Sequence, residues 1–183
     1  MMKNIKPVLV LFVICAVVSG ALSGTYALTK DAIALTAQQK VTAQIAELMP
    51  ETANSTLVEK DTLSYYELTD AAGNSIGRAY TVSVSGYGGE LKVMVGLKDE
   101  NTVVGIRILS SAETPGLGKK AEEPAFYAQY EGISTDSFAV VKNVKNADNE
   151  IVAISSATIT TKAVTKAVNM ALADYTGKEA AAQ

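Results

Sequence analysis

Two short stretches concentrate the residues able to hold or carry a ligand. Glu113-Thr114-Pro115-Gly116-Leu117-Gly118 is followed by Lys119 and Lys120. Proline and two glycines within four positions force a tight path that exposes backbone N–H groups to a ligand, or else make a plain Pro-Gly turn. Ser155-Ser156-Ala157-Thr158-Ile159-Thr160-Thr161 holds five hydroxyls in seven residues. One hydroxyl suffices to cap a helix, which is the plain alternative here. The excess, set before a helix whose first N–H groups and positive dipole end point outward, suits an anion. The chemistry this allows is a phosphate-bearing ligand, held by the turn or joined as an ester to a threonine.

What the chain lacks narrows the field further. Its 183 residues include no histidine, no tryptophan and one cysteine, Cys15. No Ser-His-Asp triad, Cys-His pair, Cys/His zinc site, intramolecular disulfide or four-cysteine cluster can be assembled. Difficult chemistry would therefore need a borrowed cofactor. An isoelectric point near 5.1 argues against nucleic acid as a partner. From Lys30 onward the chain holds 14 basic and 19 acidic residues and no cysteine, as suits an exported domain in an oxidising compartment.

The elements that would position these stretches read as one α+β domain behind an anchor. Pro7 to Leu28 carries no charge, and its length of about 33 Å spans a bilayer core of about 30 Å. Lys3 and Lys6 precede it and favour a cytoplasmic N-terminus. The rival is a cleaved signal peptide, with small residues between Ser19 and Ala27; the length of the apolar run favours an uncleaved anchor. Cys15 within it reads as a small hydrophobe, and Gly20 and Gly24 as a weak helix-approach pair. Asp31–Leu48 is expected to be helical, stopped by Pro50. Strands are expected at 63–68, 76–84, 91–97, 103–109 and 151–154, with short polar or glycine-rich links that fit antiparallel hairpins. A short helix is expected at 122–130. A longer one at 161–175 carries Val164, Val168, Leu172 and Tyr175 on one face and stops at Gly177. The resulting organisation is a tail at 1–6, a transmembrane helix at 7–28, a helical connector at 29–60, the domain at 61–178 and a frayed end at 179–183.

Gly86-Tyr87-Gly88-Gly89, then Val93 to Leu97, then Glu113 to Gly118, then Ser155 to Thr158 occur in this order behind one apolar helix. That succession resembles the FMN-binding domain of the G component of the Rnf electron-transport complex. More distantly it resembles the C component of the sodium-translocating NADH:quinone reductase. The family pattern at the attachment site is Asp-x-x-Ser/Thr-Gly-Ala-Thr, in which the last threonine carries FMN through a phosphoester installed by a flavin transferase. Carried over, that threonine is Thr158; Ser155 and Ala157 match. Val152 stands in place of the aspartate and Ser156 in place of the glycine, and the serine keeps the turn if its φ is not strongly positive. The resemblance implies that Ser155, Ser156, Thr160 and Thr161 donate hydrogen bonds around the phosphate, with Ala157 in the same turn. It implies that Glu113, Thr114, Leu117 and Gly118 line the ring or ribityl chain; Glu113 alternatively pairs with Lys119 or Lys120.

The implied role is electron carriage in a complex that moves electrons between ferredoxin and NAD and pumps sodium ions or protons, with no substrate turned over by this chain alone. The implied partners are the other Rnf subunits, the flavin transferase and membrane lipid. The implied place is the inner membrane of a bacterium or archaeon, with the domain on the exported side. Two alternatives stand beside it: an FMN-domain protein of another extracellular redox chain, and a cofactor-free membrane-anchored binding domain. Neighbouring genes separate the first, and a fluorescent band on a denaturing gel separates the second.

Overall fold

The computed structural model describes residues 5–60 and 63–177; the frayed end expected at 179–183 lies outside the described residues. The chain divides into two units, 1–42 and 43–183. Helix α1 covers Ile5–Leu48. The span Pro7–Leu48 is long and apolar enough to cross a membrane; its most apolar 18-residue window has a mean hydropathy of 2.4 and is wholly exposed. The expected transmembrane segment and the helix expected at 31–48 are thus one uninterrupted helix.

The second unit is built on six strands: β1 (Asn54–Val58), β2 (Ser64–Thr69), β3 (Ser75–Ser85), β4 (Glu90–Leu97), β5 (Thr102–Ser111) and β6 (Ile133–Ser134). They pair in chain order, and every pairing is antiparallel. The links are short because side chains close them. Asp70 Oδ1 accepts from the N–H groups of Ala72 and Asn74 at 2.8 and 2.9 Å. Asp99 Oδ1 does the same for Asn101 and Thr102 at 3.1 and 2.8 Å. Such Asx turns reverse the chain without a long loop. The amide bonds from Asn74 hold the Asp70 carboxyl below the usual carboxylate range.

β4 is buried on both sides, which is why it reads as a near-continuous apolar run. On one side, Tyr80, Val82, Val93, Val95 and Ile106 pack with Val164, Ala167, Val168 and Leu172 of α3 (Thr158–Thr176). On the other, the last turn of α1 brings in Leu48, whose methyls sit against Gly96 and Gly105, directly paired across β4 and β5. A Cβ at Gly105 would lie 3.0 Å from Leu48 Cδ2, so small residues here admit the leucine. The remaining pieces are a 3₁₀ turn at Gly118–Glu122, a one-turn α2 (Pro124–Tyr127), and a two-stranded parallel sheet of β7 (Ala139–Val141) and β8 (Glu150–Val152).

Three expectations shift. Residues 54–58, expected in a helical connector, form β1 and extend the sheet. Of the helix expected at 122–130 only the single turn of α2 is helical beyond Glu122, where the 3₁₀ turn ends; Glu123 between them has an extended backbone (φ −83°, ψ 142°) before Pro124, the conformation a following proline imposes. α3 begins at Thr158 rather than Thr161. Its apolar face starts only at Ala163, so the pattern hid the polar first turn.

Candidate functional site

The two stretches singled out by residue type meet in one cleft of about 440 Å³. Glu113, Thr114, Leu117 and Gly118 line it from the first; Ser156, Ala157, Thr158, Ile159 and Thr160 line it from the second; Tyr87 lines it from the β3–β4 turn. Its size falls within the range of small-molecule sites.

The first stretch is shaped by its own backbone. The N–H groups of Leu117 and Lys119 both donate to the Thr114 carbonyl at 3.2 Å. Pro115 leads the turn and Gly116 takes φ +77°, a left-handed position that favours glycine. Glu113 is buried, and its Oε1 accepts from the N–H groups of Tyr87 and Gly88 at 2.7 and 3.2 Å. A buried carboxylate needs such partners to offset its lost hydration. It does not pair with its lysine neighbours; Lys119 instead lies 3.5 Å from Glu122. The Glu113 carboxylate also fills the space a Cβ would take at Gly86 or Gly118. One side chain thus holds the Gly86–Gly89 turn against the Pro-Gly loop.

The second stretch opens α3. The helix is preceded by Ala157, and no side chain caps it, so its first N–H groups keep their capacity for a ligand. Thr158 is the first helical residue. The neighbouring threonines then divide. Thr161 is fully buried; its hydroxyl accepts from the Ile154 N–H at 3.0 Å and donates to the Ala157 carbonyl at 3.1 Å. Expected to donate to a ligand, Thr161 instead braces the turn from inside, its donor already used. Thr160 is equally buried, yet its hydroxyl has no partner. Thr52 and Thr81 share that lack among the described residues, but Thr160 lines the cleft. Buried hydroxyls are normally satisfied, so an unpartnered one in a residue that lines a cleft is a candidate donor to a ligand there. Gly118 packs directly against it: a Cβ there would come within 2.8 Å of the Thr160 oxygen.

Ser156 takes φ +66°, the one non-glycine among the described residues with positive φ. The condition set for the serine is not met: it occupies the left-handed region that favours the family's glycine. Ser155 is exposed and lies outside the lining. Val152 is held by Gln129, whose amide oxygen accepts from the Val152 N–H at 2.7 Å. The residue that composition did not flag is Tyr87, brought in by a hydrogen bond spanning 26 positions. Its signal was its place as the lone side chain between glycines.

An antiparallel sheet packed on a helix, with an uncapped helix start and a Pro-Gly loop lining one cleft, defines an α+β domain with a small-molecule site. The FMN-binding domain model matches residues 86–173. The chain is 36% identical to the G component of the Na(+)-translocating ferredoxin:NAD(+) oxidoreductase complex of Acetobacterium woodii, over 91% of this chain and 89% of that one. It is 33% identical to the G component of the ion-translocating oxidoreductase complex of Aliivibrio fischeri, over 95% and 90%. Among solved structures it is similar to NqrC of Shewanella oneidensis (TM-score 0.52, 17% identity, 68% of this chain and 67% of that one). It is also similar to the C component of the Na(+)-translocating NADH-quinone reductase of Parabacteroides distasonis (TM-score 0.53, 21% identity, 72% and 79%). The chain belongs to the family of G components of ion-translocating, Rnf-type oxidoreductase complexes.

Proposed function

We propose that this chain is the membrane-anchored electron-carrier subunit of an Rnf-type complex, with FMN joined through a phosphoester to Thr158. The observation that carries the reading is the junction of Thr158, the uncapped start of α3 and the unpartnered Thr160 hydroxyl in one cleft with the Pro-Gly loop. FMN, when bound, supplies one- and two-electron chemistry that no side chain of this histidine-free chain provides.

The chain's own residues bind and orient. The Thr158 hydroxyl oxygen is the tether. The Thr160 hydroxyl and the first N–H groups of α3 would donate to phosphate oxygens, with the helix dipole favouring their charge. Ser156, in the lining, would meet the phosphate from the solvent side, with Ser155 preceding it outside the cleft. Thr114, Leu117 and Gly118 line the rest of the flavin, and Glu113 keeps their loop in place. A tether prevents loss of cofactor where no cellular pool replaces it, which suits a domain on the exported side. The apolar part of α1 anchors the chain as a single pass with the lysine-flanked end inside. Partners are the other subunits of the complex, with a flavin transferase for maturation. The relatives' names support the complex; the coupled ion is sodium or the proton.

The test is a denaturing gel viewed under ultraviolet light. Full-length chain produced with a flavin transferase gives a fluorescent band, and Thr158→Ala gives none. A dark wild-type band under those conditions, or a bright Thr158→Ala band, overturns the assignment.

A further inference from the structure

Tyr87 is the lone side chain in the Gly86–Gly89 turn, and it is 75% exposed. A single exposed apolar side chain is ordinary on a protein surface. This one has company: Leu117 is 43% exposed and Ile159 56%, and all three line the same cleft from three different elements. Beside them in that cleft are Thr158, Thr160 and the buried Glu113. Exposed apolar groups converging beside a few polar ones mark a ligand groove.

The mount of Tyr87 is rigid although its ring is open. Its N–H and that of Gly88 are held by Glu113. The Gly86 N–H donates to the Gly89 carbonyl at 2.8 Å. A Cβ at Gly86 would overlap the Glu113 carboxylate, and one at Gly88 would overlap the Ala112 carbonyl, so the turn lies pressed against the start of the Pro-Gly loop. An aromatic group on a fixed backbone loses little freedom when a ligand covers it.

We infer that Tyr87 is the aromatic contact for the flat isoalloxazine of the bound flavin, and that Glu113 is the positioning residue that holds it there. The inference rests on the FMN reading of the cleft and adds to it the residue that covers the ring. Aromatic faces of this kind pair favourably beyond the area they bury. The assignment has an optical consequence. A tyrosine in contact with an excited isoalloxazine passes it one electron and regains that electron as the charges recombine. Emission is lost, and no bond or net charge changes.

The experiment uses full-length chain co-produced with a flavin transferase and purified in detergent. It compares wild type with Tyr87→Ala, Tyr87→Leu, Tyr87→Phe and Glu113→Gln. Flavin per chain is read from absorbance, and fluorescence lifetime and yield from emission. Wild type is expected to be strongly quenched. Tyr87→Ala and Tyr87→Leu are expected to brighten several-fold per bound flavin; the leucine variant excludes an effect of merely emptying the turn. Tyr87→Phe, which keeps a ring but loses the oxidisable phenol, should brighten while retaining the wild-type visible circular dichroism. Glu113→Gln should brighten partially as the mount loosens. Lifetimes of Tyr87→Ala and Tyr87→Leu equal to that of flavin-loaded wild type overturn the assignment of Tyr87 and leave the cleft's reading intact. A wild type without flavin overturns both.

Discussion

The two ends of α3 are built on opposite rules. At the C-terminal end the described polar side chains are drawn into contacts: the Thr176 hydroxyl donates to the Leu172 and Ala173 carbonyls at 3.1 Å. Gly177 takes φ +67° and returns its N–H to the helix's last carbonyls. Asp174 accepts from the Tyr80 hydroxyl at 3.1 Å and from Lys60 at 3.2 Å. The Arg78 guanidinium sits 4.8 and 4.4 Å from the ring centroids of Tyr65 and Tyr175. At the N-terminal end the helix has no cap, Thr160 has no partner and Ser156 is in a left-handed conformation. Both ends belong to one helix over one core, so the contrast is not one of overall stability. The paired end holds the fold, and the unpaired end keeps its hydrogen bonds in reserve for a ligand.

The sharpest way to break that division is to exchange the consequences of mutating each end. Tyr80 is fully buried. Its replacement by alanine should cost about 3–5 kcal/mol of stability, read as a lowered urea midpoint. Thr158→Ala should leave that midpoint within about 0.5 kcal/mol in the flavin-free protein while abolishing attachment. A large loss of stability in Thr158→Ala would mean that the open end also holds the fold.

Alkali should act on the paired side. Burial pushes the phenols of Tyr80 and Tyr130 above the ordinary tyrosine value. The folded-state value lies above the unfolded one, so the unfolded chain releases its protons first as pH rises. The stabilisation is present in full below about pH 10 and declines above it by about 1.4 kcal/mol per pH unit for each such tyrosine. Urea titrations from about pH 9 to pH 11 should show this fall. Tyr80→Phe should flatten it by one tyrosine's share.

This division was partly legible in the sequence. Strands β2 to β5 follow from their apolar runs and turn residues, and the buried face of α3 from its period. β1 was hidden because Asn54-Ser55-Thr56-Leu57-Val58 is polar and almost wholly exposed, held by pairing with β2 rather than by burial. The cleft's two stretches were legible by residue type, but their roles were not. Adjacent helical residues point about 100° apart, so Thr160 and Thr161, both buried, meet different surroundings. With α3 expected to start at Thr161, both looked like equivalent loop hydroxyls. For Tyr87 the glycines on either side were the local signal, but its place in the cleft depends on the hydrogen bond its N–H donates to Glu113, 26 positions away.

The two threonines give the next test. Thr160→Val removes a hydroxyl without a partner and should leave stability unchanged or slightly higher in the flavin-free chain. Thr161→Val removes two bonds and strands the Ile154 N–H, which should cost about 1–3 kcal/mol. Flavin attachment should respond in the opposite sense to stability in the first case: slower for Thr160→Val, despite an intact fold. Urea midpoints and a time course of band fluorescence read the two quantities separately. Equal destabilisation by both variants would show that the Thr160 hydroxyl is satisfied within the fold after all.

The smallest expected effect is at Ser156. A non-glycine residue at φ +66° stores about 1 kcal/mol of backbone strain. Ser156→Gly relieves that strain but gives the unfolded chain more freedom. The net gain should be about 0.5 kcal/mol in the urea midpoint. The same change restores the glycine of the family pattern, so attachment to Thr158 should proceed at least as fast as in wild type. Ser156→Val moves the other way, because a β-branched side chain tolerates the left-handed region less well than serine. If glycine lowers stability, the strain at this turn is not held against the rest of the fold. The unpaired end of α3 would then be relaxed rather than poised.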